Sequence, residues 1–193
     1  VYGLSVIKSF MEANNFRRGL LFTADPYSKV INQEDKKTAT LFGDGATVTL
    51  LTDEPVFEFG QFVFGSDGSK KEGIVVREDG YVHMNGRAVF TFTVRIIPDS
   101  IREMLEKNSF VIENVNRFLL HQGSLHIVNS IADNLGVPRD RCPFHSGAYG
   151  NTVSSSVPML IAQEYANQEM QVAVLAGFGV GLSWASTLIF RKN

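Results

Sequence analysis

A chain of 193 residues, 44% hydrophobic and 20% charged, is long enough to bury a core as one large domain or two small ones. Its net charge of −2 gives no field for nucleic acid or an anionic membrane, and its apolar runs are too short and glycine-rich to span a bilayer. One cysteine excludes an internal disulfide framework. The first residues do not show the signal-peptide pattern of a basic region followed by an apolar region. These features predict a soluble, cytoplasmic α/β protein without nucleic-acid or membrane partners.

The first third of the chain predicts one helix and two strands. Residues 1–15 carry apolar side chains at helical spacing, although no N-cap residue precedes Val1. A short buried strand follows at 20–24. After a polar loop, Phe42-Gly43-Asp44-Gly45 predicts a turn into a second strand over 46–51.

The remainder alternates helices and strands, as α/β proteins do. The segment from Ala88 onward is helical in pattern but contains Pro98, which allows one kinked helix or two consecutive helices. An apolar strand ends abruptly at His121. The other predicted elements are strands over 57–64, 115–120, 171–176 and 183–190 and helices over 125–135 and 152–167.

One supersecondary unit occurs twice. Residues 1–51 and 152–190 both predict helix, strand, a Phe-Gly-x-Gly turn and strand. The second copy has a long lead-in over 56–151 and the first has none, so we expect roughly a hundred residues before Val1 in a complete two-repeat protein. We therefore divide the chain into the end of a first repeat, 1–55, and a complete second repeat, 56–193.

His121 and Asn151 are the strongest candidates for chemistry. Ligands of open α/β sheets bind outside the carboxyl ends of strands, so a histidine ending one strand and an asparagine opening a helix can face one pocket. Alternatively, His121 is a buried histidine bonded to backbone. Asn151 could likewise be only an N-cap or a loop residue that bonds its own backbone.

Other motifs carry less. Gly177-Phe178-Gly179-Val180-Gly181 joins strand to strand, so no helix N-terminus is available for a phosphate and we reject a nucleotide site; such a turn can still direct backbone N–H groups at an oxyanion. The spacing of His121, His126 and Cys142 does not favour a metal site. Cys142 is better explained as a structural thiol than as a nucleophile.

Five motifs, in order along nearly the whole chain, resemble the β-ketoacyl-acyl-carrier-protein synthase III group of the thiolase-like superfamily. They are Leu41-Phe42-Gly43-Asp44-Gly45-Ala46, Met84-Asn85-Gly86 with Val89-Phe90, His121-Gln122, Tyr149-Gly150-Asn151-Thr152, and Gly177-Phe178-Gly179 with Trp184. The resemblance implies the thiolase-like layered αβαβα fold. It also implies that the nucleophilic cysteine lies just upstream of Val1, where the repeats place the break.

The resemblance assigns roles to individual residues. His121 and Asn151 would be catalytic, and the backbone at Gly179 and Val180 would form an oxyanion hole. Substrate and pantetheine contacts would come from Gln122, Ser124, Met84, Gly86 and Phe178, and no metal is expected.

The implied reaction is the decarboxylative condensation of an acyl-coenzyme A with malonyl-acyl carrier protein. No cofactor is expected besides these two substrates. The implied partners are acyl carrier protein, a coenzyme A thioester, an N-terminal half outside this chain and a second subunit in a homodimer. Without its cysteine, the chain by itself is expected to be inactive.

This sequence departs from the family pattern at several positions. Gly123, Ser124 and His126 stand where the family usually has Ala, Asn and Arg, of which the Asn contacts pantetheine and the Arg contacts carrier protein. Ser154-Ser155-Ser156 replaces a more alanine-rich run. Val180 stands where glycine is common, so a left-handed backbone there would be strained. Two alternatives stay open: a thiolase-fold acyltransferase forming an ester or amide with His121 as general base, and a non-catalytic partner subunit.

Overall fold

The computed structural model describes residues 1–192. Its helices are α1 (Tyr2–Asn14), α2 (Lys36–Ala39), α3 (Gly86–Lys107), α4 (Leu125–Leu135) and α5 (Ser156–Glu164). Its strands are β1 (Arg18–Ala24), β2 (Ala46–Thr52), β3 (Phe57–Phe59), β4 (Val63–Ser66), β5 (Ile74–Val76), β6 (Val82–Met84), β7 (Arg117–Leu120), β8 (Val172–Gly179) and β9 (Ser183–Arg191).

The strands form one large sheet and two small ones. The large sheet has the order β3-β9-β8-β7, with β4 also paired to β9. Strands β7 and β8 are parallel, whereas β8 and β9 are antiparallel. Strands β1 and β2 form a separate antiparallel pair, and β5 and β6 form another.

Two apolar cores lie on opposite faces of the large sheet because successive side chains of a strand alternate between faces. On one face, Phe118 and Leu120 of β7 pack with α3 and α4. On the other face, Leu119 packs with α1, α5 and Leu51 of β2. The order is therefore helices, five-stranded sheet, helices, two-stranded sheet. These are four of the five expected layers, and residues 1–192 contain no helix over the outer face of β1 and β2.

The predicted strand over 57–64 is wrong as a single element. It divides into β3 and β4 because the N–H of Gln61 bonds the side chain of Asn108 at the end of α3, at 2.7 Å, instead of continuing the ladder with β9. The predicted helix over 152–167 is also too long. A short 3-10 turn over Val153–Ser155 precedes α5, which ends at Glu164.

Helix α3 continues through Pro98 as one element. Proline has no N–H to donate, so it leaves the carbonyl four residues earlier, that of Val94, without its helical partner. The side-chain amide of Asn134 on α4 donates to this carbonyl at 3.3 Å. The neighbouring helix thus supplies the hydrogen bond that the proline removes. None of the helices within residues 1–192 is long and apolar enough to cross a membrane.

Candidate functional site

His121 lies immediately after β7, at the carboxyl end of this strand. Its N–H continues the sheet by donating to the Ala176 carbonyl at 2.8 Å. The His121 and Phe178 rings pack edge to face, with centroids 5.2 Å apart and an interplanar angle of 88°. Backbone pairing and ring packing together hold the imidazole in one place.

The His121 ring is neutral at pH 7. Burial lowers its pKa to about 4, opposed by the Val153 carbonyl. Nδ1 lies 2.7 Å from the Ser156 hydroxyl. Within residues 1–192, Nε2 has no hydrogen-bond partner, which leaves this atom for a ligand.

Asn151 is held by both its backbone and its side chain. Its N–H donates to the Leu41 carbonyl at 2.8 Å, and its carbonyl accepts from the Gly43 N–H at 3.1 Å. The side-chain Oδ1 accepts from the N–H of Val153 at 2.9 Å. This bond fixes the amide orientation, so that Nδ2 is the end left to donate to a ligand.

The loop carrying Asn151 fits against the Phe-Gly-Asp-Gly turn of the first repeat. A Cβ atom at Gly43 would lie 1.8 Å from the Tyr149 carbonyl oxygen, so only glycine allows this approach. Gly150 adopts φ = 73°, which also favours glycine. The Phe-Gly-Asp-Gly turn and the loop carrying Asn151, about a hundred residues apart in sequence, therefore form one close contact, called here the joint between the repeats.

His121 and Asn151 border the same cavity, of about 50 Å³. Among the predicted site residues, Met84, Phe178 and Gly179 also line it. Side chains that we did not predict complete its walls: Leu41, Phe42, Ile74, Val89, Phe92, Thr93, Ile127 and Leu182. The cavity is smaller than drug-sized sites of roughly 300–1,000 Å³.

Four predicted site residues lie outside the cavity lining. Gln122 is buried, and its side chain donates to the Leu120 and Pro143 carbonyls and accepts from the His145 N–H, so it braces the loop. Ser124 caps α4 by accepting from the N–H of Ile127 at 3.2 Å.

The other two are Gly86 and Val180. Gly86 is the first residue of α3, behind its cap Asn85. Val180 is exposed in the turn between β8 and β9. The strain expected at Val180 is absent, because the positive φ in this turn falls on Gly181, at 138°.

The structure also tests the two motifs set aside in the sequence. Cys142 is buried, and burial together with the charge of Asp140 raises the pKa of its thiol to about 12. It therefore holds almost no thiolate at pH 7, as expected of a structural thiol. Within residues 1–192, no three His, Cys, Asp or Glu side chains are grouped as metal ligands would be.

Comparison with known proteins identifies this fold. Solved structures of 3-oxoacyl-(acyl-carrier-protein) synthase III superpose on the chain. The enzyme from Aquifex aeolicus does so with a TM-score of 0.92 at 28% identity, covering 98% of this chain and 63% of its own. That from Pseudomonas aeruginosa does so with a TM-score of 0.90 at 31% identity, covering 100% and 64%. The fold is thiolase-like.

Sequence comparison gives the family. The profile of 3-oxoacyl-[acyl-carrier-protein (ACP)] synthase III matches residues 1–68, and that of its C-terminal domain matches residues 105–190. The β-ketoacyl-[acyl-carrier-protein] synthases III of Streptococcus mutans and Staphylococcus epidermidis are 31% and 34% identical over 98% of this chain. The chain spans 64% and 62% of their lengths. It belongs to the 3-oxoacyl-acyl-carrier-protein synthase III family.

Proposed function

We propose that this chain is the C-terminal part of a condensing enzyme that joins an acyl group to malonyl-carrier protein with loss of carbon dioxide. One observation carries the proposal: His121 and Asn151 border one cavity, and each has one side-chain atom bonded within the protein and one left for a ligand. Two such groups can hold a thioester carbonyl between them. Membership of the family supports the same chemistry.

The reaction follows from the charge that develops. The carbonyl of the malonyl thioester accepts hydrogen bonds from His121 Nε2 and Asn151 Nδ2. When carbon dioxide leaves, the electron pair of the broken carbon–carbon bond stays with the malonyl group and forms an enolate. The two donors stabilise the enolate oxygen. The enolate carbon then attacks an acyl group carried by a cysteine, forming the carbon–carbon bond and releasing the thiolate. Because His121 is neutral, it donates a hydrogen bond without adding a charge to the pocket.

We propose that the cysteine and the acyl-binding residues belong to an N-terminal segment preceding Val1. The backbone at Gly179, which lines the cavity, would stabilise the oxyanion formed at the acyl-cysteine, and Val180 would extend this turn. The partners would be acyl carrier protein, a coenzyme A thioester and a second subunit in a homodimer. The reaction requires no cofactor, and we expect it in the cytoplasm.

Replacing His121 or Asn151 by alanine in the complete protein tests this proposal. Each loss of a donor should lower malonyl-carrier-protein decarboxylation by roughly 10²–10³-fold. Acylation of the cysteine, followed by intact mass after adding acetyl-coenzyme A, should change little. Condensation that proceeds unchanged without His121 would contradict the proposal.

Product analysis with different acceptors, together with intact mass, separates the two alternatives. An ester- or amide-forming enzyme would take acetyl-coenzyme A and give product with an alcohol or amine but not with malonyl-carrier protein. A non-catalytic partner subunit would gain no acyl mass at all. The low pKa of His121 makes it a weak base, which favours the condensing role over general-base catalysis on an alcohol.

A further inference from the structure

Three consecutive serines open α5, and each contacts a different part of the molecule. Ser154 bonds the Asp25 carboxylate. Ser155 donates to the Gly45 carbonyl at 3.0 Å and lies beside a threonine of β1. The Ser156 hydroxyl instead lies 2.7 Å from His121 Nδ1. The first two serines join the repeats, and the third contacts the candidate catalytic ring.

A neutral imidazole carries one proton, so the partner of Nδ1 decides what Nε2 can do. If Nδ1 carries the proton, Nε2 is an acceptor and cannot bond a carbonyl oxygen. If Nδ1 accepts a hydrogen bond, Nε2 carries the proton and can donate to that oxygen. The proposed condensation needs the second form.

Only one described group can donate to Nδ1. The backbone N–H groups of Val153 and Ser156 are already engaged, because that of Val153 bonds Asn151 Oδ1 and that of Ser156 bonds the Val153 carbonyl. The Ser156 hydroxyl is a donor with two acceptors within reach, Nδ1 at 2.7 Å and the Val153 carbonyl at 2.9 Å. The hydroxyl has one proton for these two acceptors, and the shorter contact is the one to Nδ1.

Resting on the proposed function, we propose that Ser156 is a positioning residue, whose hydroxyl bond to Nδ1 holds His121 in the tautomer that donates from Nε2. Without this hydroxyl, the ring faces only the Val153 carbonyl, which accepts but cannot donate. The proton would move to Nδ1, and Nε2 would become an acceptor pointing at the substrate carbonyl oxygen. Ser156 thereby decides whether a correctly placed ring can act.

The turn that presents these groups contains one residue in a left-handed conformation. Val153 has φ = 51°, a left-handed conformation that is strained for a β-branched residue. Its N–H orients the amide of Asn151, and its carbonyl lies beside Ser156 and His121. One strained peptide therefore sets the hydrogen-bonding direction of both candidate catalytic side chains.

The test is Ser156→Ala in the complete protein, with Ser154→Ala as the matched control in the same turn. The condensation rate should fall roughly 10²-fold in Ser156→Ala, as expected when one hydrogen-bond donor to the substrate carbonyl is lost. It should stay near wild type in Ser154→Ala. Ser156→Thr keeps a hydroxyl and should restore most of the rate.

The tautomer itself is read by nitrogen-15 NMR of histidine-labelled protein, bound to a malonyl-coenzyme A analogue with an amide in place of the thioester. Wild type and Ser156→Thr should show the proton on Nε2 of His121, and Ser156→Ala should show it on Nδ1. Wild type protonated on Nδ1, or Ser156→Ala still protonated on Nε2, would overturn the proposal. The NMR measurement does not depend on turnover. It can therefore contradict the role of Ser156 while the His121→Ala rate still supports the proposed function, and the reverse.

Discussion

The two copies of the repeated unit differ in what covers their strand pairs. In the second copy, β8 and β9 lie in the middle of the large sheet, and their side chains are buried on both faces. In the first copy, β1 and β2 are buried on one face only. Leu20 faces Leu50 and Phe22 faces Val48 across the pair, and all four side chains are more than half exposed.

The exposed face of the first copy is unlike an ordinary solvent-facing sheet. A half-exposed antiparallel pair normally alternates apolar and polar residues. Here the apolar side chains are on the exposed face, and threonines occupy much of the covered one. A contiguous apolar patch of this kind is typical of a surface that another element covers. The two copies share one arrangement of elements, but β8 and β9 are covered on both faces whereas, within residues 1–192, β1 and β2 are covered on one.

The largest expected effect comes from truncating the exposed face in the complete protein. Phe22→Ala should lower the free energy of unfolding by about 3–5 kcal/mol if an N-terminal segment buries this ring. Leu188→Ala, at a fully buried position in β9, should cost a similar amount, about 2–5 kcal/mol. Urea unfolding of both variants makes the comparison. A cost below about 0.5 kcal/mol for Phe22→Ala would mean that the face stays open to solvent.

The buried second copy should also show a pH signature through His121. Its folded pKa of about 4 is below the unfolded value of 6.5, so the unfolded state binds more protons between these values. Stability should therefore be lost as pH falls from about 6.5 to 4, by at most about 3 kcal/mol.

The control for this effect is His121→Gln, which removes the titrating ring. Urea unfolding between pH 4 and 7 should give a flatter dependence in this variant than in wild type. The carboxylates with lowered pKa values contribute below this window, and they are Asp35, Asp44, Asp53, Asp79 and Asp133. Equal slopes for the two proteins would show that the ring is not desolvated.

The repeated unit and its elements could be predicted from the sequence because they depend on local patterns. Helix α4 begins and ends where Ser124 and Gly136 indicate, since its caps are sequence-local. The break between β3 and β4 could not be predicted, because it depends on Asn108, which is far along the chain. The continuity of α3 through Pro98 likewise depends on a hydrogen bond from another helix.

The candidate site was predictable in part for the same reason. His121 and Asn151 stand at the ends of recognisable elements, so their meeting follows from the topology of the sheet. The positions of Gln122 and Val180 depend on side-chain partners and on which turn residue takes positive φ, and a single sequence shows neither. The Ser154-Ser155-Ser156 run shows in the sequence only as a departure from the family pattern. The role that we propose for Ser156 depends on its distance to His121 Nδ1, which no sequence pattern shows.

The joint between the repeats gives the last and smallest predicted effect. Gly43→Ala places a methyl group where the Tyr149 carbonyl lies, so the loop carrying Asn151 must move. Such overpacking costs about 1–3 kcal/mol. Gly147→Ala in the same loop is the matched control, because its Cβ would meet no atom within 4 Å. We expect Gly43→Ala to slow condensation more than it slows cysteine acylation, since we propose that Asn151 bonds the malonyl carbonyl. Equal rates for the two variants would mean that the first repeat does not position Asn151.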